Sequence, residues 1–81
     1  MTYSNNLHRY RKLNNLKQRE VAKRMGLKDS SLISRWEQGF SLPDLENAFK
    51  LAVIYGVTVD ALFINIRSSL EQSNTKPARP I

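Results

Sequence analysis

The stretch GLKDSSLISRWEQG, residues 26–39, sets two glycines around a segment in which Ser30, Ser31, Ser34 and Arg35 are interleaved with Leu32, Ile33 and Trp36. Its spacing predicts a helix over 30–38, with Asp29 or Ser30 as N-cap and Gly39 as the stop. At roughly 100° per residue, Ser30, Ser34, Gln38, Ser31 and Arg35 fall at about 0, 40, 80, 100 and 140°, one continuous polar arc. Leu32, Trp36 and Ile33 fall at about 200, 240 and 300°, the predicted core side, with Glu37 at the border near 340°.

That polar arc is unusual in its chemistry. An exposed helix face ordinarily carries long Glu and Lys side chains, whereas short serines let a helix approach another surface closely. A DNA major groove, about 12 Å wide, admits such a helix. The pattern alone leaves two readings open: a helix-turn-helix whose second helix is presented outward, or a helical hairpin with a merely solvated face.

Charge placement bears on the choice. The chain has 81 residues and a formal net charge of +6. Residues 1–38 hold Arg9, Arg11, Lys12, Lys17, Arg19, Lys23, Arg24, Lys28 and Arg35 against Glu20, Asp29 and Glu37, so nine bases minus three acids account for the whole excess. In residues 39–81, Lys50, Arg67, Lys76 and Arg79 balance Asp44, Glu46, Asp60 and Glu71. A basic half points to a polyanionic partner, nucleic acid or an anionic membrane surface, with a solubilising excess as the plain alternative.

Around this segment the periodicity predicts four more helices and no strand. The first spans 5–14 with Leu7, Tyr10 and Leu13 on one side, and the second spans 17–25 with Val21, Ala22 and Met25 inward. Pro43-Asp44 opens the fourth, which runs to Tyr55 with Leu45, Ala48, Leu51, Ala52 and Tyr55 inside. Thr58 caps the fifth, whose stripe is Val59, Leu62, Phe63, Ile66 and Leu70. One domain over 1–70 is expected, followed by a disordered tail over 71–81.

Catalysis finds little support. There is no cysteine, no Gly-rich phosphate loop, and no base at a spacing that would activate a serine. His8, the single histidine, has no Cys, Asp or Glu three or four residues away. Asp44 and Glu46 diverge on a helix, so helix-start electrostatics explains them better than a carboxylate pair. Trp36 beside Leu32 and Ile33 reads as core rather than as a base-stacking platform. Neither metal nor cofactor is expected, and no enzyme. No signal peptide is visible, and no apolar run approaches the about 20 residues that span a bilayer, so a cytoplasmic location is expected.

Residues 5–66 resemble the Xre/Cro-repressor helix-turn-helix family, through RKLNNLKQREVAKRMGL, ISRWEQG and LPDLENAFKLAVIYGVTVDALF, in order and nearly at family spacing. The turn LKDSS is one residue longer than the commonest family version. The resemblance implies an all-α, compact five-helix bundle of the lambda-repressor-like kind. It implies that Gln18 contacts a DNA phosphate, that Ser30, Ser31 and Arg35 reach base edges, and that Gln38 and Gly39 meet the backbone. It also implies a structural ion pair between Arg11 and Glu37. Physical chemistry adds to these roles. Arg35 alone on the outward arc can make a bidentate contact with guanine, a discrimination of about 1–3 kcal/mol. Ser34 faces the groove by geometry, and Lys17 and Lys28 flank two helix starts as phosphate partners.

The expectation is therefore a sequence-specific, double-stranded DNA-binding transcriptional regulator acting as a repressor, its 30–38 helix in the major groove. Two copies would read half-sites one helical turn apart, a homodimer at least on DNA. Val53 and Ile64, off the inner faces, with Phe63 or Ile66 at the rim, form a candidate dimer patch. The rival is an antitoxin-like protein-interaction module on the same fold, with an unknown protein partner. A membrane-surface binder fits poorly, because these short helices lack a wide apolar face opposite their bases.

Overall fold

The computed structural model describes residues 4–73. They form six helices: α1 (Leu7–Leu13), α2 (Gln18–Arg24), α3 (Ser31–Gln38), α4 (Leu45–Tyr55), α5 (Val59–Leu62) and α6 (Ile64–Ser73). No strand occurs among the described residues.

Local chemistry sets most boundaries. Asn5 Oδ1 accepts from the Leu7 amide at 3.0 Å, and Asn15, at φ 56°, turns the chain out of α1 in the left-handed conformation that asparagine tolerates. Glu20 Oε1 accepts from the Lys17 amide at 2.8 Å, fastening the start of α2. Asp44 caps α4 through the Asn47 amide at 2.9 Å, and Thr58 caps α5 through the Ala61 amide at 3.1 Å.

The expected fifth helix is two helices. Phe63, at φ −122° and ψ 31°, interrupts the stripe that sequence periodicity runs through without a break. The break falls directly after Leu62, which is fully buried. Arg67 clasps the joint, reaching Asp60 on α5 at 3.0 Å and Glu71 on α6 at 3.6 Å. The expected boundary at 70/71 falls inside α6, which continues to Ser73; residues 74–81 of the expected tail lie outside the described residues.

Leu7, Val21, Ile33, Leu51 and Leu62, one each from α1 to α5, meet at the centre, with Leu16, Met25, Trp36 and Tyr55 around them. Four leucines expected inside are not there. Leu32 is 41% exposed, Leu70 64%, Leu13 65% and Leu45 72%. Each lies in the end turn or at the flank of its helix, where the neighbouring helices of so small a domain no longer reach.

The helices are also stitched through their ends. Asn5 Nδ2 donates to the Trp36 carbonyl at 2.8 Å, and the Asn6 amide donates to the Leu62 carbonyl at 2.9 Å. The start of α1 is thereby tied to the ends of both α3 and α5, which holds α3 from behind.

Candidate nucleic-acid interface

Residues 26–30 make the turn that presents α3. Gly26 takes φ 75°, and the Leu27 amide closes back onto the Ala22 carbonyl at 2.9 Å. Asp29 rather than Ser30 serves the start of α3: its carboxylate accepts from the Ser31 amide at 2.8 Å, whereas the Ser30 side chain makes no capping bond. That hydrogen bond holds the Asp29 carboxyl below its usual range. The longer turn is thus closed by its own aspartate.

At the other end, Gly39 adopts φ 79°, and the Phe40 amide returns to the Arg35 carbonyl at 3.0 Å. The left-handed residue and the returning amide satisfy carbonyls that the last turn leaves open. Gly39 is buried beneath this turn.

Between these ends, Ile33 and Trp36 face the core, while Ser31, Arg35 and Gln38 are exposed and Ser30 and Ser34 are half-buried. Gln38 Nε2 donates to Ser34 Oγ at 2.9 Å, so these two side chains are held together one turn apart. Arg35 enters no ion pair among the described residues, leaving its five donors unspent. Lys17, just before α2, and Lys28, in the turn before α3, are exposed. Leu32, next to this arc on the helical wheel, is 41% exposed and gives it an apolar edge.

The rear anchor of α3 is a charged cluster. Glu37 accepts from Arg11 Nε at 2.6 Å and Nη2 at 3.1 Å, and from Gln18 Nε2 at 3.0 Å; His8 Nδ1 lies 3.3 Å away. Arg11 also donates to the Leu16 carbonyl at 3.0 Å. Burial alone pushes the Glu37 carboxyl up, but the Arg11, Gln18 and His8 hydrogen bonds and the Arg11 charge outweigh it, so the group sits below its ordinary value. The same hydrogen bond raises the Arg11 guanidinium against the cost of its burial. Both groups are therefore charged throughout the neutral range.

This cluster joins the Arg11, Gln18 and Glu37 side chains from α1, α2 and α3. Gln18 is half-buried, with one amide hydrogen given to Glu37. His8 was legible only as an unpaired histidine; its position three residues before Arg11 on α1 was the available signal, and Arg11 Nη2 indeed lies 3.1 Å from His8 Nδ1. Among the described residues no group of His, Cys, Asp or Glu could hold a metal ion, and no helix is long and apolar enough to cross a membrane.

The candidate dimer residues are divided between two surfaces. Val53 borders a groove with Phe49 and Ile54, whereas Phe63 and Ile66 border another with Leu42, Pro43, Ala48 and Val59.

Residues 7–62 match the helix-turn-helix family. An uncharacterized HTH-type transcriptional regulator from Methanocaldococcus jannaschii is 40% identical over 60 residues, covering 74% of this chain and 89% of that protein. No solved structure gives a significant match. The turn between α2 and α3, the outward arc of α3 and the matched span lead to one assignment: the chain belongs to the Xre/lambda-repressor-like helix-turn-helix family.

Proposed function

We propose that this protein is a transcriptional regulator that binds double-stranded DNA sequence-selectively, placing α3 in the major groove, and that it represses by occluding a promoter in the cytoplasm. The observation that carries this reading is the outward arc of α3. Ser31 and the unpaired Arg35 stand exposed on a helix clamped from behind by Glu37, in the half of the chain that holds the whole +6 charge.

Each residue then has a physical task. Arg35 reads guanine through two parallel hydrogen bonds, while Ser30, Ser31 and Ser34 provide close fit with a hydroxyl that bonds to donor or acceptor. Lys17 and Lys28 contact phosphates and supply affinity without sequence information. Gln18 keeps a second amide hydrogen for a phosphate, and Glu37 fixes its orientation. Gln38 and the amides around Gly39 meet the backbone after α3. Two copies on DNA would read half-sites about one helical turn apart. The name of the archaeal relative supports a regulatory role of the same kind.

Selection of bound duplexes from a randomised pool, run in parallel with wild type and Arg35→Ala, tests the reading. Enrichment of a two-fold-symmetric site by wild type, blurred at one position by the variant, is the expected result. Binding without any enriched site would reduce the basic half to an electrostatic anchor and overturn sequence-selective regulation.

A further inference from the structure

Helix α4 carries an apolar stripe that the domain does not use. Leu45, Phe49 and Val53 follow one another at i, i+4 and i+8 and are 72%, 55% and 80% exposed. Side chains of this size at such spacing ordinarily face a core, yet α4 already buries Ala48, Leu51, Ala52 and Tyr55 on its other side. Phe49, Val53 and Ile54 line an open groove of about 450 Å³ together with Arg24, Glu46 and Lys50. Exposed apolar patches rimmed by charge mark interaction sites.

The charges at this rim are of both signs. Glu46 and Lys50 lie one turn apart on the same flank of the stripe, and Lys50 Nζ is 3.4 Å from Glu46 Oε2. A polyanion would not select such a face. A second copy of the same helix would, because the arrangement complements itself under a two-fold axis.

We propose that the outward face of α4 is a docking surface for a second copy of this chain, the two helices crossing antiparallel at Phe49. In that crossing Phe49 meets its mate, and Leu45 lies opposite the second copy's position 53. Antiparallel pairing related by a two-fold axis also puts the same flank of each helix on the same side. Glu46 then stands about 3 Å along the axis from Lys50 of the second copy, two residues at about 1.5 Å each, within reach of both side chains. The exchange happens twice, giving two inter-chain pairs of opposite charge. The two Lys50 also stand about 3 Å apart along the axis, but Glu46 lies nearer the line of contact on the helical wheel, so the opposite-charge pairs are the closer ones. The contact is isologous and closes on a dimer. Arg24, at the groove's far edge, adds an aliphatic stem that covers apolar surface.

This inference deepens the two-copy part of the proposed function, and its test needs no DNA, so the two fail separately. Sedimentation equilibrium of the full chain over micromolar to millimolar concentrations should show a reversible monomer–dimer equilibrium. Val53→Asp should weaken it by about tenfold or more, because dimerisation would bury the new charge. Val53 is exposed in the monomer, and unchanged helical circular dichroism at low concentration verifies that the variant folds.

Two charge variants test the register independently. Glu46→Lys places four like charges at the joint, and Lys50→Glu does the same with the opposite sign. Each alone should dimerise about tenfold more weakly than wild type, while an equimolar mixture of the two should recover association, since every cross-pair is then attractive. A wild-type chain that stays monomeric throughout, or a dimer indifferent to Val53→Asp, overturns the proposal and leaves the stripe to a different protein or to residues 74–81. A mixture no tighter than its components overturns the antiparallel crossing.

Discussion

The Arg11 guanidinium and the Glu37 carboxylate meet twice, Nε to Oε2 at 2.6 Å and Nη2 to Oε1 at 3.1 Å, joining α1 to α3 where both side chains are buried. The contact orients α3 from behind, and it does so in a place where neither charge can be left alone. Removing one partner of a buried pair strands the other in a poorly solvated site, at a cost of about 3–5 kcal/mol. Arg11→Ala is expected to lose stability on that scale in urea denaturation. A loss under about 1 kcal/mol would mean water reaches Glu37 freely, as at an exposed pair.

Acid should act through the same carboxylate. Glu37 is held below its ordinary value of 4.5 in the folded chain. The unfolded state therefore takes up its proton first as pH falls. The pair's contribution is complete above the ordinary glutamate value, and is lost as pH drops through the lower folded value. Glu37→Gln should flatten this acid limb in denaturation curves recorded at successive pH values. An acid limb identical to wild type would assign the loss to other carboxylates.

Gly39→Ala tests the end of α3. At φ 79° an L-residue meets its own carbonyl, a strain of about 1–2 kcal/mol. Thermal unfolding should register that loss. DNA affinity should fall as well, because relief of the strain would move the Phe40 turn and the amides that follow α3.

Tyr55 presents the opposite case. Its ring is buried, its hydroxyl finds no hydrogen-bond partner among the described residues, and burial raises its pKa. Replacing a buried unsatisfied group with an apolar one of the same shape is close to neutral or stabilising. Tyr55→Phe is expected to change stability by no more than about 1 kcal/mol, and in the favourable direction. Marked destabilisation in calorimetry would reveal a partner for the hydroxyl.

On DNA, two basic side chains should separate by kind. Arg35→Ala is expected to lose sequence preference while keeping most non-specific binding. Lys17→Ala is expected to weaken all sequences alike and to reduce the salt slope by about one unit. Titrations of matched and scrambled duplexes at several salt concentrations distinguish them. Equal losses on every sequence for both variants would remove Arg35 from base readout.

Helix α3 was more legible than the packing around it. Short-range rules located α3 because its start and stop signals, Asp29 and Gly39, act within a few residues of the backbone groups they satisfy. The polar arc followed from helical period alone. The same period misplaced Leu13, Leu32, Leu45 and Leu70, since it states which residues share a face and not whether another helix covers that face. It also ran α5 and α6 together, because an apolar stripe continues through Phe63 while the backbone does not.

The sequence by itself determined an all-helical domain, the polar face of α3 and the confinement of positive charge to residues 1–38; these depend on residue order and local backbone chemistry. Only the tertiary structure decided that Gln18 and His8 join Arg11 around Glu37, and that Leu45, Phe49 and Val53 face outward. Those outcomes depend on how helices distant in the chain cross and which faces they leave uncovered. In a chain of 81 residues there are too few helices to bury every apolar face, and the packing chooses which one remains.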